Sequence, residues 1–171
     1  MKKVLFILNF RNFDDEEFFY LKENLEKRGF QVYIASQKKG LAIGKEGTET
    51  KVDFLLSEIQ PEIFDCLIIL SSPSLKFLDN EETYSLIKKF FKRKKIIVAL
   101  SLAPIILAKA GILKGKKATV WHSSFDKKGI KILKEKGVNF SEEKIVSDDK
   151  IITVQNSSFL SDLVLILENM L

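Results

Sequence analysis

The sequence predicts one α/β domain of three layers, a mainly parallel sheet with helices on both faces. Three observations carry this prediction. Continuous apolar runs of strand length recur along the chain, as suits strands covered on both sides. Amphipathic helical stretches alternate with them. The chain has 171 residues, 46% of them apolar and 30% charged, which fits a single globular domain over residues 1–171 and argues against long disordered segments.

Val4 to Leu8 is the first apolar run and reads as a core strand. Asp14 to Arg28 follows as a helix, with acids at its start and Lys27-Arg28 at its end, as the helix dipole prefers. Gly29 stops it, and Phe30 to Ala35 is the second strand. Lys38 to Thr50, rich in Gly, Lys and Thr, reads as a loop or small hairpin. Cys66 to Leu70 is a third core strand, closed by the polar turn Ser71-Ser72-Pro73-Ser74. Asn80 to Lys94 is an amphipathic helix with Leu86, Ile87, Phe90 and Phe91 inward. Ile96 to Leu100 is a fourth strand, Ser101 to Ala110 a helix closed by Gly111, and Ala118 to Trp121 a fifth strand. Asp126 to Lys136 is helical and ends at Gly137. Ile145–Ser147 and Ile151–Thr153 flank Asp148-Asp149-Lys150 and are placed to pair, before a last helix from Ser157 to Leu171.

The formal net charge is +5. The excess is spread over scattered lysines, and no nucleic-acid motif accompanies it, so nucleic acid is not the expected partner. The run Lys88 to Lys95, KKFFKRKK, could serve an acidic surface; the plainer reading is a helix end with buried phenylalanines and solvated lysines. The longest apolar run, Ile96 to Ala108, is interrupted by Ser101 and Pro104 and falls short of the roughly 20 residues of a membrane span. Val4 to Leu8 is too short for a signal-peptide core. The expectation is a cytoplasmic protein that does not enter a membrane. The single cysteine, Cys66, begins an apolar strand and reads as a small core residue; no Cys/His cluster suggests a metal, and no cofactor is expected.

In open α/β sheets ligands bind beyond the carboxyl ends of the strands. Four segments fall there: Asn9 to Glu17, Ser71 to Ser74, Ser101 to Pro104 and His122 to Phe125. Leu100-Ser101-Leu102 is the sharpest of them. A tight strand-to-helix turn exposes its first residue above the sheet, which suits a nucleophile. The segment reads A-L-S-L-A and lacks the glycines of G-x-S-x-G, so a plain serine helix cap is the competing reading. Glu17 is either a pocket carboxyl or one of four acids favoured by the helix dipole. His122, the one histidine, is either a pocket residue or structural.

The stretch VALSLAPIILAKAGILKGKKATVW resembles the core of the ThiJ/PfpI family, in the class I glutamine amidotransferase-like superfamily. KKVLFIL…NFDDEEFFYLKENLEKRGFQVYIAS, VDFLLSEIQPEIFDCLIIL and IVSDDKIIT resemble further parts of it, so the resemblance covers nearly the whole chain. It implies a flavodoxin-like three-layer sandwich and a homodimer or larger assembly. It places Ser101 where the family carries a reactive cysteine, and Glu17 at a buried glutamate that hydrogen-bonds it. His122 matches a histidine near the cysteine in some members. Ser71 and Ser72 stand at a Gly-Gly pair, so the oxyanion donors would be the Ser72 and Leu102 amides.

The departures are serine at 101, leucine at 102 where many members have histidine, and serines at 71 and 72. A serine hydroxyl, unlike a thiolate, needs an adjacent base. If either serine needs positive φ, it costs about 1 kcal/mol or more. The departures favour a degenerate member, kept as a binding or stress-related protein with a small-molecule ligand, over the family's hydrolase, glyoxalase or deglycase chemistry. The alternatives are a serine hydrolase using Ser101 with His122, and an interaction protein using its basic surface.

Overall fold

The computed structural model describes all residues, 1–171. In chain order the elements are β1 (Lys3–Ile7), β2 (Arg11–Phe13), α1 (Asp15–Lys27), β3 (Gln31–Ser36), β4 (Gly40–Gly44), β5 (Glu49–Val52), β6 (Phe54–Leu55), β7 (Cys66–Ile69), α2 (Glu81–Lys92), β8 (Ile96–Leu100), α3 (Pro104–Lys109), β9 (Lys117–Ala118), α4 (Lys128–Glu135), β10 (Asn139–Phe140), β11 (Ile145–Asp148), β12 (Ile151–Val154) and α5 (Leu160–Met170). Seven strands form the central sheet in the order β11-β12-β8-β7-β1-β3-β6. All its pairings are parallel except β11 with β12.

The alternation of side chains along the strands splits the core into two layers. Leu5, Ile7, Leu67, Ile69, Ile97 and Ala99 face α2, α3 and α4. Val4, Phe6, Ile68, Val98, Leu100 and Ile152 face α1 and α5 through Phe18, Leu21, Leu163 and Leu167. Because both faces are covered, β7 and β8 are buried at every position. This is the sheet covered on both faces that the apolar runs predict, in the flavodoxin-like sandwich that the family resemblance implies. No helix is long and apolar enough to cross a membrane.

Helix ends follow the residues expected of them. Asp14 caps α1 by accepting the Glu17 N–H at 2.9 Å, and Asn80 caps α2 by accepting that of Thr83 at 2.9 Å. At the end of α2, Phe90 is buried and Phe91 is only partly so, with Lys116 Nζ 5.9 Å from its ring centre. The helix after Ser101 begins later than expected, at Pro104, because Ser101 to Ala103 form the turn itself.

Lys38 to Thr50, read as a loop or small hairpin, holds β4 and the start of β5, which pair as an antiparallel hairpin, and β2 adds to it in parallel as a small three-stranded side sheet. One region differs from the sequence reading. Ala118 to Trp121 does not extend the main sheet. The place beside β8 is taken by β12, and the short β9 pairs with β10 instead. The rest of this segment crosses the sheet end, where Thr119 N–H donates to Thr153 Oγ1 and Trp121 N–H to the Ser101 carbonyl.

Candidate active site

β8 ends at Leu100, and Ser101 turns the chain with φ 59°. A non-glycine residue in this left-handed region costs about 1–2 kcal/mol. The strain is held by two main-chain bonds: Ser101 N–H donates to Val154 O at 2.9 Å, and Ser101 O accepts from Trp121 N–H at 2.9 Å. The half-buried side chain faces a cavity of about 240 Å³. Asn12, Asp14, Lys45, Ser71, Ser72, Pro73, Leu102 and Trp121 complete its wall.

Glu17 projects from the first turn of α1 and is 1% exposed. Its Oε1 accepts the Ser71 N–H at 2.7 Å and its Oε2 the Ser71 hydroxyl at 2.8 Å. Burial pushes its pKa up to about 7, against the opposing pull of the two Ser71 donors. Glu17 is thus bonded to Ser71, and the Ser101 hydroxyl bonds no protein group.

The Ser71–Ser74 turn is fixed by its side chains. Ser72 Oγ donates to the Ser74 carbonyl at 2.9 Å and accepts from Asn9 Nδ2 at 3.1 Å. Neither Ser71 nor Ser72 has a positive φ, so the backbone cost considered for serine at these positions does not arise; the strained serine is Ser101. The amides of Ser72 and Leu102 both belong to cavity-lining residues and donate to no protein acceptor.

His122 is placed beside the cavity without lining it. Its Nδ1 lies 3.0 Å from the Val120 carbonyl and 3.3 Å from Gln155 Nε2, and its ring stands edge-on to Phe140. The neighbouring wall is Trp121.

Lys45 is a wall residue that lies within the segment read as a loop or small hairpin and was not singled out. The side sheet brings it to the rim, where its ammonium group pairs with Asp14 Oδ2 at 2.8 Å. Asp14 raises the Lys45 pKa and so keeps it charged. The next acid, Asp15, holds the hairpin turn: its carboxylate accepts the N–H groups of Glu46 at 2.9 Å and Thr48 at 3.0 Å. Asn12, Asp14 and Trp121 lie in or next to segments assigned to the sheet's carboxyl edge; only Lys45 gave no signal, since its position depends on hairpin docking.

A parallel sheet whose central strand ends in a left-handed elbow, with a buried carboxyl group and two free amides at one cavity, defines an α/β protein of the nucleophile-elbow type. The model of the DJ-1/PfpI family matches residues 2–167, and the chain belongs to that family. An uncharacterized protein of Methanocaldococcus jannaschii is 31% identical over 159 residues, 92% of this chain and 76% of that protein. Deglycase PfpI of Pyrococcus furiosus is 36% identical over 118 residues, 68% of this chain and 70% of that protein. The crystal structure of a ThiJ/PfpI domain protein from Brachyspira murdochii superposes with a TM-score of 0.89 at 26% identity, covering 98% of this chain and 94% of that one.

Proposed function

We propose that this chain is a divergent DJ-1/PfpI protein that has given up the cysteine-dependent hydrolase, glyoxalase or deglycase reaction and keeps its pocket to bind a small molecule. One observation carries the reading: Glu17 is hydrogen-bonded to Ser71 at both oxygens, and no side-chain base is hydrogen-bonded to the Ser101 hydroxyl. An unassisted serine hydroxyl is a poor nucleophile at neutral pH. The free Ser72 and Leu102 amides are suited to a ligand oxygen. A binding or stress-related role, in a cytoplasmic homodimer or larger assembly, completes this reading.

The test compares wild type with Ser101→Cys in a methylglyoxal-consumption assay. Wild type is expected to show no turnover above buffer. Turnover by the cysteine variant alone would mean that the serine silences an otherwise competent pocket. Wild-type turnover that disappears in Ser101→Ala overturns the reading.

A second reading, a hydrolase of small acyl or amide substrates using Ser101, is favoured by the strained elbow φ of 59°. It needs His122, whose Nδ1 is held by Val120 and Gln155, to bring its other ring nitrogen within hydrogen-bond reach of the hydroxyl. Covalent capture of Ser101 by a fluorophosphonate would support it.

A further inference from the structure

The hydroxyl in this pocket that has a base is that of Ser71. Its Oγ donates to Glu17 Oε2 at 2.8 Å, while its own N–H donates to Oε1 at 2.7 Å. The carboxyl group is gripped at both oxygens and stays aimed at the hydroxyl. Ser71 is half-buried and lines the cavity of about 240 Å³. The amide that follows it, Ser72 N–H, has no protein acceptor, and neither has that of Leu102, which lines the same cavity. Preorganised backbone N–H groups are common oxyanion donors, and the unbonded Ser72 amide directly follows Ser71 in the chain.

We propose that Ser71 is a nucleophile for slow acyl transfer from small esters, with Glu17 as its general base and the Ser72 and Leu102 amides as the oxyanion site. This goes beyond the binding reading, which concerns the chemistry of position 101. In the forward step Ser71 Oγ bonds to the ester carbonyl carbon, its proton passes to Glu17 Oε2, and the carbonyl π pair moves onto the oxygen held by the two amides. Collapse breaks the bond to the leaving alkoxide, which takes the proton back from Glu17. Water then attacks the acyl-Ser71 ester with Glu17 again as base, releasing the acid and restoring the hydroxyl. The rim carries one positive and one negative group, Lys45 and Asp14, paired with each other, so it selects no net charge and a small neutral ester suits it.

Glu17 must be ionised to act. Of the charged groups around it, Asp14 at the start of α1 opposes ionisation and Lys45 from the hairpin favours it. The Ser71–Ser74 turn and the elbow after β8 add only hydroxyl and amide groups.

The experiment is labelling of the folded wild-type protein with a fluorophosphonate, with the modified residue located by peptide mass spectrometry. Here Ser71 Oγ bonds to phosphorus, fluoride leaves, and Glu17 takes the proton. One label on Ser71 is expected, at a rate that rises with pH through about 7 and then levels. Glu17→Gln, with its fold checked by circular dichroism, should label roughly a hundredfold more slowly, the scale of a lost general base. Label on Ser101 instead overturns the proposal and supports the second reading above. No label, or a rate in Glu17→Gln equal to wild type, overturns the proposal and leaves the binding reading standing.

Discussion

Replacing Gly44 with alanine probes how the pocket rim is held. An ideal Cβ at Gly44 would lie no farther than 2.5 Å from Cγ, Oδ1 and Oδ2 of Asp15. The Asp15 side chain is short, 5% exposed, and tied at both oxygens to Glu46 N–H and Thr48 N–H. The carboxylate must leave or the hairpin must lift, and either movement breaks the same two bonds. A hydrogen bond to a charged group contributes about 1.5–3 kcal/mol. Two such bonds set an upper loss of about 3–6 kcal/mol, and rehydration of the displaced carboxylate brings the expectation to about 2–4 kcal/mol. For a domain of this size that lowers Tm by roughly 6–12 °C. Thermal unfolding followed by circular dichroism at pH 7 reads it directly. In an Asp15→Ala background the carboxylate that the Cβ meets is gone, and its cost should fall below about 1 kcal/mol. Burial tends to raise the Asp15 pKa, but the Glu46 and Thr48 donors outweigh it and hold the pKa below its ordinary value of 3.8. The contribution of Asp15 is therefore present above that value and lost as pH falls through the lower folded pKa, so the deficit of Gly44→Ala should shrink in acid. A variant melting within a degree or two of wild type, or an equal cost in both backgrounds, would refute this account of the rim.

Two further outcomes follow from the strained and buried groups of the pocket. Glu17 has a folded pKa of about 7 against an ordinary 4.5, so its contribution to stability is full below 4.5 and is lost as pH rises through 7. Wild type should lose up to about 3 kcal/mol between pH 4.5 and 8 from this group, and Glu17→Gln should flatten that slope in urea titrations; an unchanged slope would count against a raised pKa. Glycine accepts the φ of 59° at position 101 without strain, relieving about 1–2 kcal/mol against roughly 0.5–1 kcal/mol of extra unfolded-state entropy. Ser101→Gly should therefore raise Tm by about 2 °C, and a clear fall would mean that the elbow stores no strain.

The sandwich was legible because parallel strands buried on both faces must be apolar at every position, as Cys66–Ile69 and Ile96–Leu100 are. Helix starts were legible where a side chain caps them, as at Asp14 and Asn80. Ala118–Trp121 was misread because only Ala118 pairs, in β9 with β10, while Thr119 to Trp121 cross the end of the main sheet, and composition does not separate the two. At the site, Ser101 turns the chain with positive φ and, with Ser71, Ser72 and Leu102, lines one cavity. The partner of Glu17 was not legible. A serine at 71 offers both an N–H and an O–H, and only the packed structure decides which of several nearby hydroxyls a buried carboxyl group takes. Lys45 was missed for a related reason, since it reaches the rim only after Asp15 has seized the hairpin turn.

Cys66 sits fully buried in the middle of the sheet, and burial pushes its thiol pKa far up. In the folded protein this sulfur is neither a thiolate nor within reach of a reagent. A cysteine placed at 101 would then be the one thiol that an alkylating probe can find. The Ser101→Cys variant carries its own background-free reporter: the rate of its modification with pH measures how far the elbow, the amides and Glu17 perturb a sulfur at that position, independently of any substrate.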